Sequence, residues 1–131
     1  MKSRVHIVSY YWLPVVLYMG LIFIQSAHPV PETVPEWPLK DKFLHLAAYS
    51  ILGALFLRAL NQTQWRHRRG LMMVVSVLLT GLYGVSDEWH QYHVPSRSAE
   101  LADVVADVAG GICGVWAYER LSGKFSAIRR L

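Results

Sequence analysis

Three groups of side chains in this sequence have the types and spacing for acid–base chemistry. Asp41, His45 and Tyr49 recur every four residues, so on a helix they share one face. Tyr83, Asp87 and Gln91 repeat that spacing, with Glu88 and His90 beside them. Asp103 and Asp107 stand four apart and lead into Gly110, Gly111 and Gly114. An imidazole next to Asp41 or Asp103 is a general base suited to neutral pH, which makes His45 the candidate. Carboxylates crowded in a low dielectric cannot all ionise together, so Asp87, Glu88 or Asp107 is a candidate proton donor to a leaving oxygen. Arg97 offers a two-pronged guanidinium and Lys42 a point charge for phosphate, with Tyr49 and Gln91 completing a substrate-binding set. The same His and carboxylates could hold a divalent metal. No compact ligand spacing such as His-Glu-x-x-His is present, so a metal is not favoured, no metal ligand is assigned and the cofactor stays open.

Each of these residues has a plainer explanation when taken alone. Asp41 and Asp103 suit helix caps or dipole partners, and His90 and His93 suit an interface. The glycines read as helix packing, the Trp and Tyr as interfacial anchors, and Cys113 as a small buried apolar residue. The coincidence argues the other way: Asp41, His45, Asp87, Glu88, Asp103 and Asp107 fall on one side of the elements that carry them, with Arg97 in the adjoining loop.

Those elements are apolar helices. Apolar types make up 53% of the 131 residues and charged types 17%, with a mean hydropathy of +0.26. That balance excludes a disordered chain, and the single cysteine excludes a disulfide framework or a four-cysteine zinc site. Four runs, about 7–27, 43–60, 71–90 and 101–118, approach the roughly 20 residues that cross ~30 Å of hydrocarbon. A soluble bundle of the same helices would carry polar stripes along their length, and these runs lack them. The expectation is an all-α integral membrane four-helix bundle, one domain over 1–131. Asp107 then lies roughly 9 Å below the helix start at Leu101, at the helical rise per residue, so the polar ends of the last three helices must meet on one side.

Charge sets the orientation. Lys2 and Arg4, then Arg58, Arg66, Arg68 and Arg69, then Arg120, Lys124, Arg129 and Arg130 fall on one side, against Lys40, Lys42 and Arg97 on the other. Excess Lys/Arg stays cytoplasmic, which puts both termini there and the acidic cluster outside. The net charge of +4 thus reflects topology, and no nucleic-acid partner is expected. The first run ends without a small-x-small cleavage site and reads as an uncleaved helix. Pro29, Pro31, Pro35 and Pro38 make the first outer loop extended, and a Ser or Glu near 98–100 is expected to cap the fourth helix.

Asp41-Lys42-Phe-Leu-His45-Leu-Ala-Ala-Tyr49, Tyr83-Gly84-Val-Ser-Asp87-Glu88-Trp-His-Gln91, Val94-Pro-Ser-Arg97-Ser and Leu101-Ala-Asp103-Val-Val-Ala-Asp107 follow one another in an order that resembles the VanZ-like family of small bacterial membrane proteins. Where that family commonly has Asn before the final Gly run, this chain has Asp107, which adds a negative charge. The resemblance implies a multi-pass protein of the bacterial cytoplasmic membrane, an association with teicoplanin resistance and, by a remote fold-level analogy, chemistry on phosphate-bearing lipid head groups. The expected partner is a membrane lipid or lipid-linked cell-wall precursor, with the oligomeric state open. Three functions follow: a head-group phosphoester hydrolase or transferase, a non-catalytic binder or shield of envelope lipids, and a proton-coupled transporter. The last is the weakest, because nothing polar continues towards the cytoplasmic half.

Overall fold

The computed structural model describes residues 4–128, with side chains described for residues 4–124. Lys2, Arg129 and Arg130, which enter the charge asymmetry above, lie outside the described residues. Four helices account for nearly all of the described chain: α1 (Arg4–Ser26), α2 (Lys40–Leu60), α3 (Arg69–Tyr92) and α4 (Leu101–Ile128). All four are long and apolar enough to cross a membrane, and no strand occurs among the described residues. The helices overrun the apolar runs at their ends, because Lys40, Asp41 and Lys42 before the second run and Arg69 before the third continue the helix into the polar zone. The proline-rich connection at 27–39 has no regular element. It enters α2 through Leu39, whose φ of 63° turns the chain into the helix.

Polarity is distributed inside out. Leu17, Leu21 and Phe23 of α1, Leu78, Leu82 and Trp89 of α3, and Val105, Ile112 and Trp116 of α4 are exposed. Ser76, Thr80, Gln91, Asp103 and Asp107 are fully buried. Ser76 and Thr80 satisfy themselves by donating to the carbonyls of Met72 and Ser76, each at 2.7 Å. A water-soluble bundle would bury the first set and expose the second, so this surface suits lipid. Cys113, expected inside, is exposed on α4, because the interior side of that helix is occupied by Gly110, Gly111 and Gly114.

Contacts give the register. A Cβ on Gly110 or Gly114 would overlap the carbonyl oxygens of Leu46 and Ser50, and one on Gly53 would lie 2.8 Å from the Gly111 oxygen. α2 and α4 therefore run parallel with their backbones in contact, which only glycine permits here. α3 packs antiparallel to α4, with Thr80 against Gly111 and Gly84 against Asp107. α1 is the outermost helix. Tyr18 donates to the Ala48 carbonyl at 3.0 Å and Tyr83 donates to the Met19 carbonyl.

α1 contains a π-helical turn over Val8–Trp12, in which the Leu13 N–H reaches the Val8 carbonyl. Pro14 has no N–H, so the Tyr10 carbonyl loses its usual helical donor. Arg58 of α2 replaces it, donating to that carbonyl at 3.0 Å while lying 4.7 Å from the centroids of the Tyr10 and Tyr11 rings. Arg58→Met is expected to lower stability by about 1 kcal/mol through loss of this bond and the cation–π contact. Thermal unfolding in detergent measures it, and an unchanged midpoint would remove Arg58 from the docking of α1.

Candidate functional site

Parallel packing brings the N-termini of α2 and α4 to the same end of the bundle, where α3 ends. Asp41 and Asp103 occupy the first turns of α2 and α4. Both therefore sit at the positive ends of helix dipoles, which offsets part of the cost of burying carboxylates. Because the glycine contacts hold the two backbones together, His45 and Asp107, each slightly deeper, come within hydrogen-bond reach. His45 Nδ1 lies 2.8 Å from Asp107 Oδ1, with both side chains buried. With Asp107 ionised and the ring neutral, Nδ1 donates to the carboxylate and Nε2 keeps the lone pair. The Tyr49 ring lies parallel to the imidazole at 6.1 Å between centroids. A Cβ on Gly84 would lie 2.6 Å from Asp107 Oδ2, so this glycine of α3 makes room for the carboxylate.

The cations are held by acids. Lys42 Nζ sits 2.6 Å from Glu100 Oε2 and 2.7 Å from Asp103 Oδ1. The Lys42 ammonium keeps the Glu100 carboxyl below its ordinary value. Arg97 donates through Nε and Nη2 to Gln91 Oε1 at 3.2 and 3.0 Å, with Asp41 Oδ1 at 3.6 Å from Nη2. Gln91 in turn donates to Asp87 Oδ2 at 3.2 Å. Glu88 Oε2 accepts the Glu100 N–H at 2.8 Å, so the start of α4 is capped from α3 rather than by the expected Ser or Glu side chain at 98–100.

Six of the ten predicted residues line a cavity of about 590 Å³: Asp41, His45, Tyr49, Asp87, Gln91 and Arg97. The other four, Lys42, Glu88, Asp103 and Asp107, are absent from its lining and support it from behind through the pairs above. Another part of the lining is apolar, built from Ile22 and Ile24 of α1, Pro29 and Val34 of the 27–39 connection, and Leu44 and Ile51 of α2. Gln25 and Ser26 of α1 and His28 just beyond it also line the hollow, and sequence reasoning did not place them there. It also missed Glu100 as a partner of Lys42, where opposite charges 58 positions apart give no local pattern. His90, expected at an interface, stacks on Phe23 at 4.1 Å and lines a second, smaller hollow that Asp87 shares.

The VanZ/LLP1 family pattern matches residues 10–122. The chain belongs to the VanZ/LLP1 family. No curated protein and no solved structure matches it. In this VanZ/LLP1 chain the matched stretch contains the whole polar cluster and the glycine seam that assembles it. The protein is thus a multi-pass membrane member of the family, with four spanning helices.

Proposed function

We propose that the cavity receives the phosphate-bearing head group of a membrane lipid or lipid-linked cell-wall precursor and that the protein hydrolyses or exchanges it at the phosphoester. We further place both termini in the cytoplasm, in the bacterial cytoplasmic membrane, so that the cavity serves the outer leaflet.

One observation carries this reading. The cavity joins a wall of acids, imidazole and guanidinium to an apolar wall that is itself on the outside of the bundle: Ile24, Leu44 and Ile51 line the hollow and are also 59%, 40% and 51% exposed. A ligand with a charged head and an apolar tail fits both surfaces at once, and it enters sideways from the bilayer. Arg97 supplies the phosphate contact, since no hydrogen bond commits its Nη1 among the described residues. His45, held by Asp107, and the flanking Asp41 form the basic centre that activates the attacking hydroxyl. As the new P–O bond forms and the old one breaks, Asp87 protonates the departing oxygen. A transport path is disfavoured by the seam below the site, where backbone contact at Gly53, Gly110 and Gly114 leaves no room between α2 and α4.

The test uses the protein in vesicles containing phospholipid or polyprenyl phosphate with a labelled head group. Wild type should release or exchange the label, and Arg97→Ala should raise KM about 10–100-fold, with a weaker salt dependence. Saturable lipid binding without turnover would convert the reading to a binder or shield, and neither binding nor turnover would remove it. For the topology, a cysteine placed at Gln64 in a Cys113→Ala background should react with a membrane-impermeant maleimide only after the cells are opened, and one at Ser98 in intact spheroplasts. The reverse pattern would invert the orientation.

A further inference from the structure

We propose that Asp41, His45 and Asp103 form a binding site for one divalent transition cation of the Mn²⁺ or Zn²⁺ kind. One nitrogen of His45 and one oxygen of each carboxylate lie within 4.8 Å of one another. They come from two helices whose separation is fixed by backbone contact at Gly110 and Gly114, so the triangle does not depend on a flexible loop.

A cluster of acids alone would not make a site, and two independent features point to a ligand here. The first is an unmet carboxylate. Asp103 is fully buried, its Oδ2 has no hydrogen-bond partner, and its Oδ1 has only the Lys42 ammonium. Leaving a buried carboxylate oxygen unpaired is costly, of order 1–3 kcal/mol or more. The second is the support behind His45. Asp107 binds Nδ1 and turns the Nε2 lone pair away from itself, which is the carboxylate–histidine arrangement that orients imidazole ligands on metals. Asp41 and His45 both line the cavity, so a cation has a way in.

The donor set chooses the class. One imidazole with two carboxylates suits Mn²⁺, Fe²⁺ or Zn²⁺ better than Ca²⁺, which takes six to eight oxygens at ~2.3–2.6 Å. Three protein ligands leave positions open on the cation, and two of the three, Asp41 and His45, line the same hollow as Arg97. The inference deepens the phosphoester reading, because an open-sided cation beside a guanidinium is a phosphate site; His45 would then hold the cation, and the second oxygen of Asp41 would take the attacking hydroxyl's proton.

Mn²⁺ titration of the full chain in detergent, followed by electron paramagnetic resonance, tests it. Wild type should bind one Mn²⁺ saturably, with a nitrogen coupling from an imidazole. His45→Ala should abolish that coupling, and Asp41→Asn, at a half-exposed position that folding tolerates, should weaken binding at least ~100-fold. Asp107→Ala should weaken it about 10–100-fold by loosening the orientation of His45. No saturable binding to wild type, or unchanged binding to Asp41→Asn and His45→Ala, overturns the site. Mn²⁺ binding without lipid turnover upholds this site while refuting the phosphoester reading, and turnover by a protein that binds no Mn²⁺ does the opposite.

Discussion

Gly114→Ala is expected to unseat α4 from α2 and to cost about 3 kcal/mol or more. The added Cβ would overlap the Ser50 carbonyl oxygen, which belongs to a backbone that has no rotamer with which to yield. Overpacking by one carbon usually costs about 1–3 kcal/mol, and a clash with backbone belongs at or above the top of that range. The Ser50 carbonyl cannot move without its helix, so α2 and α4 must part by roughly 1 Å or more, the gap needed to restore van der Waals contact. The internal control is direct. A Cβ at Gly20 or Gly123 meets nothing within 4 Å, so Gly20→Ala and Gly123→Ala should be neutral or slightly stabilising through helix propensity. Denaturation in mixed detergent measures all three. If Gly114→Ala matched the other two, the parallel seam between α2 and α4 would be wrong.

His45→Ala is expected to lower lipid turnover by 10³-fold or more, within the range that loss of an acid–base or metal-holding group produces. Its fold should survive, because the seam holds α2 and α4 together independently of the imidazole. Asp107 gives a graded companion. Asp107→Ala leaves His45 Nδ1 without its acceptor at 2.8 Å and should approach the loss seen for His45→Ala. Asp107→Asn keeps an acceptor for Nδ1 in its amide oxygen and should retain much more turnover than Asp107→Ala. Equal loss in the two Asp107 variants would show that the charge, not the orientation of His45, is what matters. Turnover that survives His45→Ala would end the catalytic reading.

The cluster was legible in the sequence because helical spacing is local. Asp41, His45 and Tyr49, or Tyr83, Asp87 and Gln91, repeat every four residues, and depth along a helix follows from counting. Which carboxylate meets which cation was not legible. Lys42 looked like a group for phosphate, yet Glu100 and Asp103 hold it, because the rotation of α4 about its axis is set by glycine contacts lower in the bundle. The pairing of His45 with Asp107 rather than Asp41 or Asp103 has the same origin. Glu88 capping the start of α4 and Arg58 meeting the carbonyl released by Pro14 are bonds between helices, and neither leaves a period in the sequence. Cys113 was misplaced for a related reason. Apolar character says that a residue avoids water, but in a membrane bundle lipid serves that need as well as a core does.

The central claim is that a phosphate-bearing lipid lodges its head against Arg97 and His45 while its tail leaves past Ile24, Leu44 and Ile51. Native mass spectrometry of the gently extracted protein addresses it without presuming catalysis. Wild type should carry about one anionic phospholipid or polyprenyl phosphate per chain, and the Arg97→Ala, His45→Ala double variant should lose that adduct while keeping its loosely bound annular lipid. An identical lipid complement on both proteins, or none retained by wild type, would contradict the account.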